Sequence, residues 1–179
     1  SSLQDTEIID TLMYCSGDAL QDSITSLTVN EIGYDYTAGT LSATGGSGSG
    51  FSGTYSISSA IGSITVNNGG SGYSVGDAIA FVCPGGCTGS NATASVGSIA
   101  SNGSIITVSL TNGGTGYTSQ TMYLLVSSSA GSGASLSEVL ETTGSVYEAF
   151  VTNGGSGYTT SPTIILSSSG GASANITAE

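Results

Sequence analysis

A six-residue phrase that occurs three times constrains the fold of this 179-residue chain more than any other feature. It reads Asn-Gly-Gly, then Ser or Thr, then Gly-Tyr, and a shortened version, Asn-Glu-Ile-Gly-Tyr, precedes it at 30–34. The four tyrosines stand 39, 44 and 41 residues apart, and such a period indicates tandem supersecondary units. The full copies place their Asn, first Gly, last Gly and Tyr at Asn68, Gly69, Gly72, Tyr73, Asn112, Gly113, Gly116, Tyr117, Asn153, Gly154, Gly157 and Tyr158.

Alternating apolar residues precede each asparagine, which is the signature of a strand. Asn-Gly then predicts the positive φ angles of a tight turn, and the tyrosine ring is expected to cover the glycines. A second strand is predicted over 78–82, 122–126 and 163–166, and a third over 92–99, 134–140 and 172–178. In the second strand, we expect Ile79 and Phe81 to occupy the same places as Tyr123 and Leu125, and as Ile164 and Leu166.

Three strands in each of four units predict an all-β fold of about twelve strands from residue 27 onward. The units span about 27–63, 64–104, 105–145 and 146–179, and they form either a jelly-roll-like β-sandwich or a β-solenoid. Residues 1–26 are expected to be an N-terminal arm outside the repeats. Its apolar residues fit either a short helix or an extended donor strand, for example Ile9-Thr11-Met13-Cys15.

The chain contains 12 acidic residues and no Lys, Arg or His, so its formal net charge is −12. Imidazole-dependent catalysis, lysine Schiff bases and cationic phosphate binding are therefore excluded. Nucleic acids and anionic membranes are poor partners for such a polyanion. The remaining candidates for acid–base chemistry, Glu138, Glu141 and Glu148, are interpreted as solvated acids, and we expect no enzymatic activity and no cofactor.

Carboxylates could also hold a cation, and the candidate ligands for Ca²⁺ are Asp18, Asp22 and Asp35. No stretch matches a known calcium loop, so diffuse screening by cations is the competing interpretation. Cys83 and Cys87 flank a Pro-Gly-Gly turn and are predicted to form a disulfide in an oxidising compartment. Cys15 is left over, either as a buried apolar residue or as a bridge to a neighbouring subunit.

Three asparagines fit the acceptor pattern for N-glycosylation and make glycans a candidate modification: Asn91, Asn102 and Asn175. The chain begins with Ser1, which predicts a processed N-terminus and an extracellular or cell-surface location. No run reaches the roughly 20 apolar residues of a membrane span, so membrane insertion is not expected.

The phrase at 152–164, Thr-Asn-Gly-Gly-Ser-Gly-Tyr-Thr-Thr-Ser-Pro-Thr-Ile, resembles a repeat of bacteriophage tail and baseplate-associated proteins and of microbial surface proteins. Segments 64–76 and 108–119 are similar to diverged copies of it. The resemblance implies an extracellular or virion structural role, and it carries over no catalytic residue. The acidic, cation-free character is also similar to that of extracellular filament subunits, which often polymerise by strand donation.

These observations favour a non-enzymatic subunit of an extracellular, pilus-like filament, whose main partner is a further copy of itself. Strand pairing or donation needs no charged partners, so a chain without cations can assemble in this way. Two alternatives stay open at this point. One is a phage tail-fibre or other virion component with a fixed number of copies, and the other is a secreted carbohydrate-binding adhesin module.

Overall fold

The computed structural model describes residues 22–168 and 170–179, and the predicted all-β class is confirmed: this part of the chain contains strands and no helix. Most of the predicted arm, with Asp18 and Cys15, lies outside the described residues. The structure has twelve strands over the described ranges: β1 Leu27–Tyr34, β2 Gly39–Thr44, β3 Ser49–Ser58, β4 Ile61–Ser71, β5 Ala78–Val82, β6 Ser90–Ile99, β7 Ile105–Thr115, β8 Tyr123–Val126, β9 Ser132–Leu140, β10 Ser145–Ser156, β11 Thr163–Leu166 and β12 Ala172–Ala178.

Strands from both ends of the described chain share one six-stranded sheet, in the order β1-β12-β11-β2-β3-β10. All of its neighbouring pairs are antiparallel. The sheet is curled, and its two edge strands, β1 and β10, lie against each other. We call these six strands the terminal lobe.

The middle of the chain forms the central lobe, which contains β4 to β9. Here β7, β6, β5 and β8 form a four-stranded sheet, while β4 and β9 form a separate antiparallel pair. Strand β4 packs against β7, and β8 packs against β9. The chain passes between the lobes twice, after β3 and after β9.

Each lobe has its own apolar core. In the terminal lobe the core is formed mainly by aromatic and branched side chains, namely Ile24, Tyr36, Leu41, Tyr55, Val146, Tyr158, Ile164 and Ile176. In the central lobe two smaller clusters, one around Val96 and Ile105 and one around Ile79 and Leu124, share the half-buried Val108 and Val126. Alternation of inward and outward residues along the strands builds both cores.

The glycine-rich phrases end the long strands and do not follow them as separate turns. Asn68 and Gly69 lie within β4, where the register with β9 shifts between Val66 and Asn68. The positive φ angles fall on the later glycines, Gly70 (58°) and Gly72 (79°). The expectation that Asn-Gly itself takes up positive φ was therefore wrong, because β4 stays paired with β9 through Asn68 and Gly69 and no two-residue turn forms there.

Candidate functional site

A repeated contact, in which a tyrosine ring covers a glycine of a different unit, is the most regular feature of the structure. Tyr73 lies over Gly131, and Tyr117 lies over Gly89. A Cβ atom built at either glycine would overlap the ring, so only glycine leaves room for it. The same pairing joins Tyr158 to Gly48 and Tyr36 to Gly171. We call each of these contacts a tyrosine lock.

Hydrogen bonds fix the buried end of three of the four rings. The backbone N–H of Ala134 donates to the hydroxyl of Tyr73 at 3.2 Å, and Ala92 N–H donates to Tyr117 at 3.3 Å. Ala174 N–H donates to the hydroxyl of Tyr36 at 3.2 Å. In each case the donor lies three residues after the covered glycine. The polar tip of an otherwise buried aromatic ring is thereby satisfied.

The backbone of each tyrosine also pairs with the segment that leads into a long strand of the partner unit. Tyr117 N–H donates to Ser59 O at 2.9 Å, and Tyr36 N–H donates to Gly144 O at 2.9 Å. Tyr73 and Tyr158 donate in the same way to Gly103 and to Asp22. Two residues after each acceptor lies a buried aliphatic side chain: Ile61, Val146, Ile105 and Ile24.

These contacts reveal which tyrosine belongs to the first unit. Tyr36 is buried and makes the lock, whereas Tyr34 is 57% exposed at the end of β1. The expectation that Tyr34 ends a shortened phrase was wrong. The phrase has its full length, with Gly33 (φ 62°) and Asp35 (φ 59°) in the places of the two glycines that take positive φ.

The first unit also differs from the other units in the residue that stands in place of the first glycine of the phrase. A Cβ atom at Gly69 would overlap the carbonyl oxygen of Ile105, and Gly113 meets Ile61 O in the same way. In the first unit this place is taken by Ile32, which is 57% exposed. Ile32 lines an open groove of about 330 Å³ between the lobes, together with Ser59, Gly116 and Gly144.

Two of the candidate calcium ligands, Asp22 and Asp35, lie in the described part of the chain, and neither belongs to a group of three possible metal ligands there. One carboxylate oxygen of Asp22, Oδ1, accepts a hydrogen bond of 2.7 Å from Gly157 N–H, which fixes it to the Tyr158 lock. Asp35 lies at the start of the Tyr36 lock with positive φ. Within residues 22–168 and 170–179, no three acidic or cysteine side chains lie close enough together to hold a metal ion.

The three glutamates considered for acid–base chemistry are spread over both lobes. Glu138 lies in β9 opposite Ile64, and Glu148 lies in β10 opposite Ser56. Glu141 is exposed in the segment between the lobes, where its backbone N–H donates to Ala60 O. The structure does not assemble the three around one cleft.

Cys83 and Cys87 are joined by a disulfide with a Cα–Cα distance of 5.0 Å. It closes the loop between β5 and β6, which delivers Gly89 to the Tyr117 lock. The side chain of Gln120 holds the same loop, because its Oε1 accepts a hydrogen bond from Thr88 N–H at 2.9 Å. The disulfide therefore stabilises the platform on which Tyr117 lies.

The three predicted glycosylation acceptors are all exposed. Asn91 has a φ of 67° at the start of β6. Asn102 lies in the turn before β7, where its carbonyl oxygen accepts a hydrogen bond from Gly72 N–H. Asn175 lies in β12, and its side chain accepts a hydrogen bond from Asn30 Nδ2 at 3.3 Å. Attachment of a glycan at these asparagines stays a prediction.

The outer surface of the β5–β8 pair is apolar. Its residues are all exposed and form two facing rows, Ala78, Ala80 and Val82 on β5 and Tyr123 and Leu125 on β8. The exposed fraction reaches 55% for Tyr123 and 56% for Leu125. We call this surface the β5–β8 face. The expectation that Tyr123 and Leu125 match the inward-facing Ile79 and Phe81 was wrong, because Leu124 and Val126 point inward instead.

The matching surface of the terminal lobe, the β2–β11 face, is mostly hydroxylated. Its exposed residues are Thr40, Ser42, Thr44, Thr163 and Ile165. Strand β11 is also paired on both sides, with β2 and β12. Strand β8 pairs with β5 on one side and lies against β9 on the other, although in the described part no ladder joins it to β9. An apolar outer face is therefore particular to the central lobe, and the uniformly apolar sequence of β8 gave no signal from which that face could have been found.

Comparison with known proteins finds no match to this chain among protein-family models, curated proteins or solved structures. The resemblance of the repeated phrase to phage and surface proteins thus stays a prediction. Among the described residues, no helix has the length and apolar character needed to cross a bilayer.

Proposed function

We propose that this protein is a non-enzymatic structural subunit of an extracellular filament, assembled by strand pairing or donation between copies. The observation that carries this proposal is the β5–β8 face, an exposed apolar surface on the outer side of two paired strands. An exposed apolar patch of this kind marks a surface through which separate chains associate. Val82, Tyr123 and Leu125 supply the apolar surface.

The tyrosine locks support a structural role, because they hold the units together without charged partners. They consist of ring stacking on glycine, backbone hydrogen bonds and buried aliphatic residues, as in the contact of Tyr117 with Gly89 and Ser59. None of these interactions requires a cation, and neutral contacts of this kind are weakly affected by salt. A subunit built in this way suits an exposed polymer in environments of varying ionic strength.

We also propose that the four units are copies of one three-stranded structural unit. The supporting observation is that all four tyrosine locks connect equivalent places and are reciprocal: the first unit with the fourth, and the second with the third. In a solenoid each unit contacts the next along the chain. Pairing of the first unit with the fourth therefore favours facing sheets over a solenoid.

Electron microscopy of the full chain in negative stain, at moderate salt, tests the proposed function. We expect long filaments of uniform width, because a head-to-tail contact between copies propagates without end unless its rotation closes a ring. Salt should promote their growth by screening the net charge of −12. Discrete particles with a fixed copy number, at all salt concentrations, would contradict open-ended assembly and favour a virion component.

A further inference from the structure

The two lobes are joined mainly by the chain that crosses between them. Among the described residues, no strand of one lobe forms a ladder with a strand of the other lobe or packs along one. The apolar clusters are also confined to single lobes: the cluster around Tyr55 and Val146 lies in the terminal lobe, and those around Val96 and Leu124 lie in the central lobe. Two bodies that share no core are expected to move relative to each other.

The first crossing changes lobes at a single peptide bond. Ser58 is the last residue of β3 and pairs with Ser145 of β10 in the terminal lobe. Ser59 instead exchanges two backbone hydrogen bonds, of 2.7 and 2.9 Å, with Tyr117 in the central lobe. The boundary between the lobes therefore falls between residues 58 and 59.

The second crossing has a short slack segment at the same boundary. On its central side, Glu141 N–H donates to Ala60 O at 2.8 Å, and on its terminal side Gly144 exchanges two backbone hydrogen bonds with Tyr36. The residues between them, 142 and 143, are exposed, and within the described part they form no backbone hydrogen bond with either lobe. Rotation at the two crossings therefore breaks no backbone hydrogen bond of either lobe.

The open groove of about 330 Å³ between the lobes adjoins both crossings. It is lined by Ile32 from the terminal lobe, by Thr115 and Gly116 from the central lobe, and by residues of the crossings such as Ser59 and Gly144. None of the lining residues is charged. Ile32 is 57% exposed there, so a large apolar side chain faces a space that the two lobes enclose.

We propose that the two crossings form a hinge, about which the lobes rotate between the open arrangement of the structure and a closed one that buries Ile32 against Thr115 and Gly116. Rotation about a few residues at the ends of strands is the usual form of such a hinge. Burial of the Ile32 side chain favours closing. Each lobe carries carboxylates and no cation, so repulsion between the lobes favours opening. The hinge goes beyond the proposed function and does not rest on it, although it would allow a filament to bend within each subunit.

Double electron–electron resonance on the full chain measures this motion. Spin labels are attached to cysteines that replace Thr28 on β1 and Thr111 on β7, the strands that carry Ile32 and Thr115. Control pairs within one lobe are Thr28 with Thr54 and Thr111 with Ser135. Cys15→Ser in every variant restricts labelling to the introduced cysteines, and an excess of unlabelled protein separates labelled copies in any assembly. We expect a broader distance distribution for the pair between lobes than for either control pair.

Two matched charge variants test the closed arrangement. Ile32 and Tyr34 lie on the same strand and are both 57% exposed, but only Ile32 lines the groove. Ile32→Asp should remove the shorter distances between the lobes, because closing would then bury a carboxylate, whereas Tyr34→Asp should leave the distribution unchanged.

Two results would overturn the hinge. One is a distribution between the lobes as narrow as those of the control pairs, which would show a single rigid body. The other is a broad distribution that Ile32→Asp and Tyr34→Asp alter equally, which would show that the motion does not close the groove on Ile32. Both results are obtained whether or not filaments form, so failure of the hinge leaves the filament proposal standing.

Discussion

The two lobes are built with the same tyrosine locks but present different outer surfaces. In the central lobe the β5–β8 face is apolar, whereas in the terminal lobe the β2–β11 face is mostly Thr and Ser. Inward residues of the four short strands are alike, since Leu41, Ile79, Leu124 and Ile164 are all buried. The outward residues do not pack in a core, so they can differ between the two lobes and form a surface for association with other copies.

The largest expected effect is the loss of stability when Tyr36, the lock tyrosine of the first unit, is replaced. Its exposed neighbour Tyr34 provides the comparison. Tyr36→Ala should destabilise the protein by about 3–5 kcal/mol, the usual cost of removing a buried aromatic ring, because it empties the space between Gly171 and Tyr55. Tyr34→Ala, its control, should change the free energy of unfolding by about 0.5 kcal/mol or less. Urea unfolding followed by tyrosine fluorescence measures both. Equal losses would mean that Tyr36 makes no lock.

A second prediction compares the contact of β4 with β7 in the central lobe and the contact of β1 with β10 in the terminal lobe. Gly69→Ala should cost about 1–3 kcal/mol, because the new Cβ meets the backbone of Ile105 across the β4–β7 contact of the central lobe. Ile32→Gly, at the equivalent place of the terminal lobe, should cost only about 0.5–1 kcal/mol through added chain entropy. Thermal unfolding of the two variants checks the order. A Gly69→Ala protein as stable as the parent would show that the long strands do not approach so closely.

A third, smaller effect should be confined to the central lobe. Replacing both Cys83 and Cys87 by Ser opens the loop that carries Gly89, and a chain-entropy model predicts a loss of about 2 kcal/mol for so short a loop. Hydrogen exchange followed by mass spectrometry should show faster exchange around Tyr117 and β6, with the terminal lobe unchanged. Equal acceleration in both lobes would contradict two separate cores.

Periodicity was sufficient to predict the strands but not every residue that forms the locks. The phrases at 68, 112 and 153 retain their glycines, so their tyrosines could be aligned directly. In the first unit, Ile32 and Asp35 stand where the other units have glycines. The phrase was therefore aligned on Tyr34, and Tyr36 was not recognised as the equivalent tyrosine. A non-glycine residue at positive φ leaves no simple signal in the sequence, because Asp tolerates that conformation only in certain contexts.

The β5–β8 face was missed for a different reason. Strand β8 reads Tyr-Leu-Leu-Val, and a run that is apolar at every position has no contrast from which to assign its two faces. Only the pairing with β5 shows that Leu124 and Val126 point inward while Tyr123 and Leu125 face outward. Which units pair with each other is likewise invisible in the sequence, since all four have similar strand edges.

The most direct test of the account introduces the same charge at equivalent places of the two lobes. Leu125→Asp and Ile165→Asp change side chains that are 56% and 44% exposed, so both variants should fold, which circular dichroism verifies. In electron micrographs we expect Leu125→Asp to abolish filaments, since it puts a carboxylate on the β5–β8 face, and Ile165→Asp to retain them. Filaments of equal abundance in both folded variants would contradict the central claim that the central lobe carries the association surface.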